Sequence, residues 1–178
     1  LNGFDFVQLG GASCELLIDE RNQPLYCKKI FNRFQLAMKK SQIQNVILAN
    51  NLDYPELTIQ NLSRVFNFWS KEYKNIFFFS PMPESIDLHR DFLKFGEVTK
   101  NPSLEKNRIF YNLIQSIDIP ENVIIVNSVD FLCANDMDNC FFENNSLRLV
   151  DETHLSLIGA QMFGEAFTEE KSFIELLK

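Results

Sequence analysis

Four brief apolar runs mark out the chain: residues 3–10 (GFDFVQLG), 45–50 (NVILAN), 75–80 (NIFFFS) and 122–127 (NVIIVN). The last three are continuous rather than alternating, and each is bracketed by Asn or Ser. That is the pattern of short strands buried on both faces of a parallel sheet. The first run is apolar and aromatic enough for a strand and ends in a Gly pair. Between the runs the period changes to 3.6. Cys27, Ile30, Phe31, Phe34 and Met38 share one helical stripe, Leu62, Val65, Phe66, Trp69 and Tyr73 a second, and Phe110, Leu113, Ile114 and Ile117 a third. A last helix is predicted to start near Leu155, with Ser156 as N-cap and Ile158, Met162, Phe163 and Phe167 turned inward. Strand and helix alternate throughout, which predicts an α/β fold with a doubly wound, mostly parallel sheet. The longest irregular stretch is 80–103, with three Pro and many charges, and reads as a surface loop.

Composition narrows the function classes. The 178 residues are 46% hydrophobic with 18 Phe, enough for one core and short for two domains, so 1–178 reads as a single domain. No stretch approaches the roughly 20 uncharged apolar residues that span a bilayer. A formal charge of −7 argues against nucleic acid or an anionic membrane surface as partner, since both reward Lys/Arg patches. No GxGxxG or GxxxxGK phosphate loop is present, which disfavours a flavodoxin-like nucleotide-binding domain. The first residue is Leu, and the expectation is a processed product or a piece of something longer.

The four cysteines, Cys14, Cys27, Cys133 and Cys140, form two local pairs separated by a long Cys-free stretch. Three connectivities are open, and the economical one joins Cys14 to Cys27 and Cys133 to Cys140. Four buried thiols in a reducing compartment are the alternative; two short-loop disulfides in an oxidising one are preferred. Neither spacing is CxxC, and the two histidines, His89 and His154, are not placed as a zinc finger requires. Asp136 and Asp138 lack the ligand spacing of a calcium loop. No metal is assigned, and His89, within Asp87-Leu88-His89-Arg90, is expected in solvent.

Chemistry concentrates in residues 150–160, VDETHLSLIGA. Asp151 and His154 stand three apart just before a helix, where a tight loop aims both side chains at one point. A carboxylate so placed holds an imidazole in one tautomer and stabilises the imidazolium formed when the ring takes a proton. In an open α/β sheet such sites lie at the carboxyl ends of the strands, here 10–13, 50–54, 80–84 and the segment after Asn127. Of the serines near those ends, Ser13 follows a strand and a Gly pair. Ser41, Ser80 and Ser156 read as ordinary cap or loop serines.

DETHLSLIGA resembles the last block of SGNH hydrolases, in the D-x-x-H-L-S-x-x-G-A form of the extracytoplasmic SGNH domain of OafA/YrhL-type membrane-bound sugar O-acyltransferases. The likeness runs along nearly the whole chain. Residues 6–17 (FVQLGGASCELL) resemble the family's strand and Ser-x-Cys turn, with a second Cys downstream at Cys27. Residues 45–50 fall at its "D-V-V-V-L-A" strand, 78–84 (FFSPMPE) resemble "V-x-P-V-P-E", and 123–140 resemble the stretch ending in "D-x-L-C…C". The resemblance implies a flavodoxin-like three-layer α/β/α fold and disulfides at Cys14–Cys27 and Cys133–Cys140. It further implies Asp151 orienting His154 as general base for a serine, with an oxyanion hole drawn from Gly10, Gly11 and Asn50. No cofactor is implied. The implied partners are an acyl donor, a glycan acceptor and a fused membrane acyltransferase domain, and the implied location is periplasmic or otherwise extracytoplasmic.

One block is missing. The family's nucleophile lies in a Gly-Asp-Ser-His block ahead of the Ser-x-Cys turn, and no Gly-Asp-Ser occurs in these 178 residues. A His–Asp pair without an attacking hydroxyl forms no acyl-enzyme. The expectation is therefore an N-terminally truncated domain whose sheet lacks its first, central strand. The strand edge so exposed would leave the polypeptide destabilised, rearranged or dimeric. Two functions follow as expectations: an acyl-transfer domain with its serine upstream of Leu1, or a catalytically inactive SGNH-like domain that binds glycan or protein.

Overall fold

The computed structural model describes residues 25–41, 44–49, 58–84, 103–133, 140, 142–143, 146–147, 155–169 and 175. Their elements run α1 (Leu25–Ser41), β1 (Asn45–Leu48), α2 (Ile59–Ser70), β2 (Asn75–Phe79), α3 (Glu105–Ile114), β3 (Val123–Val126), α4 (Ser128–Cys133), β4 (Phe142–Glu143), β5 (Ser146–Leu147) and α5 (Leu157–Glu169). The three apolar runs within this set are strands, and the predicted helical stripes lie on α1, α2, α3 and α5, with Tyr73 and Ile117 falling just past the ends of α2 and α3. The strand predicted at 3–10 lies outside the described residues.

β1, β2 and β3 form a parallel sheet in that order, with Val46 opposite Ile76 and Phe78 opposite Ile125. Parallel neighbours need a crossover, and the right-handed rule places helices that advance the chain in one direction on one face. The side chains bear this out. Val46, Leu48, Ile76, Phe78 and Val123 point to one face and pack with Phe34 and Met38 of α1, Leu62, Phe66 and Trp69 of α2, and Phe110 of α3. Phe77, Phe79 and Val126 point to the other and pack with Phe163 and Phe167 of α5. The result is helix, sheet, helix: three layers, as the alternation predicts.

Aromatic rings fill the first face. Phe78 meets Phe66 edge-on at 5.1 Å between centroids and stacks on Phe110 at 5.8 Å. Such pairs contribute about 0.5–1.5 kcal/mol each beyond burial. α2 is capped by Thr58, whose backbone is extended and whose Oγ1 accepts the Asn61 N–H at 3.1 Å. That bond satisfies one of the otherwise orphaned donors of the first turn. After Ser70 the chain turns at once, with the Tyr73 N–H bonding Trp69 O at 3.2 Å, and enters β2.

Four expectations need correction. β2 is buried along its whole length, but Ile47 of β1 is 43% exposed, because β1 is an edge strand among the described residues and α5 covers only β2 and β3 on that face. Ile158 is exposed: the buried stripe of α5 runs through Gly159, Phe163 and Phe167 at spacings of four, which leaves Ile158 beside it. The start of the 80–103 stretch is not surface loop. Ser80, Pro81 and Pro83 are buried, and Glu84 pairs antiparallel with Ser103, closing the stretch at its base. Finally, α4 and the short β4–β5 antiparallel pair have no counterpart in the predicted pattern.

Candidate active site

The carboxyl ends of β2 and β3 meet in a buried polar network. Ser80, the first residue past β2, donates its N–H to Val126 O at 2.9 Å, continuing the sheet ladder. Its Oγ accepts from Asn107 Nδ2 and from the Ser128 N–H, both at 3.0 Å. The Ser128 hydroxyl returns a bond to Ser80 O at 2.6 Å, and Asn107 Nδ2 also reaches Pro81 O at 3.0 Å. Asn127 caps the following helix, its Oδ1 accepting the Val129 N–H at 3.3 Å. Ser80, Asn107 and Ser128 are all buried, so each of these bonds replaces water that cannot enter. Four elements, β2, β3, α3 and α4, are thereby fixed at one point.

Tyr111 of α3 extends this network. Burial pushes its phenol above the ordinary value, the charge of Asp130 adds to that, and a hydrogen bond with Ser80 opposes both. One turn earlier, Lys106 is buried and its Nζ lies 2.7 Å from Glu84 Oε1, which anchors the loop base to α3. A buried ammonium is tolerated only with such a partner.

Beside the network lies a second anchor. α4 ends at Cys133, which is disulfide-bonded to Cys140. The two sulfurs, Val129 and Leu132 form a small buried cluster against which Leu104 and Leu155 pack. Cys27 is also disulfide-bonded and is buried; the other half of that bond lies outside the described residues. From Leu155 the chain enters α5 through Ser156, whose Oγ accepts the Gly159 N–H at 3.0 Å, as its predicted capping role requires.

Asp151, His154, Gly10, Gly11, Asn50 and Cys14 lie outside the described residues, as do Ser13, His89, Asp136 and Asp138. The structure describes what adjoins them: the end of β1 just before Asn50, and Leu155 and Ser156 just after His154. Sequence reasoning missed the Ser80 network. A signal existed in α3, where Lys106 and Asn107 stand four and three residues before Phe110 on its buried stripe. Polar residues at core positions require partners.

A parallel sheet between helical layers, with buried polar residues gathered at the carboxyl ends of its strands, defines an α/β protein of the doubly wound class whose chemistry is expected at that edge. The chain belongs to the family of SGNH domains fused to AT3 domains, whose family model matches residues 1–169. No curated protein matches the chain. A solved structure from Streptococcus pneumonia, provisionally described as a platelet activating factor, is similar at 14% identity and a TM-score of 0.44. That match covers 71% of this chain and 58% of the other. The family is that of SGNH domains described as fused to AT3 domains, which relates this domain to acyl-transfer chemistry. Among the described residues no helix is long and apolar enough to cross a membrane.

Proposed function

We propose that the chain is the acyl-transfer part of an O-acyltransferase or esterase acting on hydroxyls of cell-envelope glycans, outside the cytoplasm and tethered through its AT3 partner. The observation that carries this reading is the Asp151–His154 block, running into the Ser156 cap of α5, in a chain of this family. Asp151 holds the imidazole of His154 in one tautomer. His154 takes the proton of a serine hydroxyl, expected from a Gly-Asp-Ser block upstream of Leu1, as the oxygen attacks the donor's acyl carbonyl. Backbone N–H groups at Gly10 and Gly11 and the Asn50 amide bind the negative oxygen that develops. Collapse of the tetrahedral intermediate expels the donor's leaving group, which takes the proton from His154. The glycan hydroxyl, or water, then attacks the serine ester with His154 again as base. No metal or organic cofactor enters the scheme.

The test is hydrolysis of p-nitrophenyl acetate by the full-length protein and by His154→Ala. Loss of the general base lowers kcat by about 100- to 10,000-fold; equal rates would remove His154 from the chemistry. The second reading, an inactive domain that binds glycan or protein, is favoured by the lack of a Gly-Asp-Ser sequence within these 178 residues. Binding of a glycan without turnover by the full-length protein would establish it.

A further inference from the structure

Of the apolar side chains at 155–158, the three residues after His154 that are apolar behave differently. Leu157 is 86% exposed and Ile158 is 42% exposed, whereas Leu155 packs on the buried cluster of Val129, Leu132, Cys133 and Cys140. Leu155 is bonded directly to His154 in the chain. The cluster beneath it is rigid for identifiable reasons. The disulfide ties Cys133 to Cys140 across a sequence separation of 7. α4, which carries Val129, Leu132 and Cys133, is held to the ends of β2 and β3 by the Asn127 cap and by the two bonds between Ser128 and Ser80. On the far side of Leu155, the Ser156 cap fixes where α5 starts. A line of contacts therefore runs from the sheet end through α4 and the disulfide to the residue beside the proposed base.

We propose that Leu155 is a positioning residue: seated on the cluster that the Cys133–Cys140 disulfide closes, it fixes the backbone that carries His154, and the disulfide acts on the histidine through it. The proposal rests on the reading of His154 as general base. An acid–base group must be held within about half an ångström of its productive place, and a misplacement of about 1 Å lowers rates on the order of 100-fold. A single leucine against a disulfide-stapled cluster supplies that constraint where the neighbouring Leu157 and Ile158 supply none.

The experiment uses the full-length protein and p-nitrophenyl acetate. Leu155→Ala is expected to lower kcat by about 10- to 100-fold with KM unchanged, the signature of a lost transition-state interaction. Leu155→Met, which conserves volume, restores kcat. The paired variant Cys133→Ser with Cys140→Ser lowers kcat similarly, and adding Leu155→Ala to it causes no further loss, because the two act in series. The fluorescence of Trp69, the only Trp and part of the other core cluster, verifies folding in each case. If Leu155→Ala does not fold, Leu155→Val decides: a fall in kcat at native Trp69 fluorescence upholds the proposal, and an unchanged kcat overturns it. Losses that multiply in the combined variant also overturn it. His154→Ala separates this proposal from the one beneath it. Hydrolysis that survives His154→Ala ends the general-base reading and the positioning role with it. Hydrolysis abolished by His154→Ala but indifferent to Leu155→Ala overturns the positioning role alone.

Discussion

The two ends of the three-stranded sheet are built from the same residue types and do different things with them. At the amino end, Asn75 Nδ2 donates to Asn45 Oδ1 at 2.8 Å, and Asn122 Nδ2 donates to Ser70 O and Tyr73 O, both at 2.9 Å. These bonds are part-buried and span 30 to 52 residues in sequence. Asn122 satisfies carbonyl groups where α2 ends and the chain turns into β2, a task that water can share. At the carboxyl end, Ser80, Asn107 and Ser128 are buried, and their bonds span 26 to 48 residues in sequence. No solvent stands in there if a partner is removed. Both ends tie distant segments together; the carboxyl end does so out of reach of water, as a buried joint placed where an α/β sheet presents its chemistry.

The largest effect expected from breaking this contrast comes from Ser80→Ala. The Ser128 N–H and one bond of Asn107 Nδ2 lose their acceptor in a buried setting; with about 1–3 kcal/mol for a fully orphaned group and less for Asn107, which keeps Pro81 O, the cost is about 2–4 kcal/mol. Urea unfolding followed by Trp69 fluorescence measures it. A cost below about 1 kcal/mol would show that the site relaxes or admits water, and the joint would then be no tighter than the other end. Asn122→Ala is the matched change at the amino end and is expected to cost about 1 kcal/mol, since the exposed side of that turn can rehydrate. The two ends of a four-residue strand stand roughly 10–13 Å apart, so the double variant should lose the sum of the single losses. A departure from additivity beyond about 0.5 kcal/mol would mean that the ends communicate through the sheet.

Why one end was legible in the sequence and the other was not follows from the physics of each. The runs at 45–48, 75–79 and 123–126 announce strands because residues buried on both faces must be apolar without interruption, and the flanking Asn residues mark where that ends. The stripes of α1 and α2 are equally plain, since a helix with one wet face writes its period into the chain. α4 spans Ser128–Cys133, less than two turns, so no period can be read from it; its cap and its disulfide make it a helix. The Ser80 network depends on partners far away in sequence, and a serine after a strand looks the same whether it ends in water or in a joint. Ile158 misled for a related reason: apolar character gives no warning that the stripe of α5 passes one residue to its side. The Asp151–His154 block is legible as sequence chemistry, while its geometry lies outside the described residues, so its role stands as the proposal above.

The smallest expected effect sharpens the comparison through a tyrosine at each end. Tyr111 at the carboxyl end has its phenol raised from 10.0 by burial first, then by Asp130, against a hydrogen bond with Ser80. Tyr73 at the amino end, stacked on Trp69 at 5.5 Å, is raised from 10.0 by burial and then by the charge of Glu72. For an acid whose folded value is raised, the neutral form is favoured in the fold. Its contribution is fully present below the unfolded value and is lost as pH climbs through the folded one, because the unfolded chain then binds fewer protons than the native one. Stability should therefore hold through neutral pH and fall above about pH 10. Tyr111→Phe costs about 1 kcal/mol or less at pH 7, where it removes one hydrogen bond to Ser80, and flattens the alkaline fall. Tyr73→Phe keeps the ring on Trp69, costs less at pH 7, and flattens the fall independently. Urea midpoints measured at intervals from pH 7 to about pH 11 separate the two, and the double variant should remove both contributions. An alkaline limb unchanged in all three variants would take the phenols out of the account and leave other titrating groups to explain it.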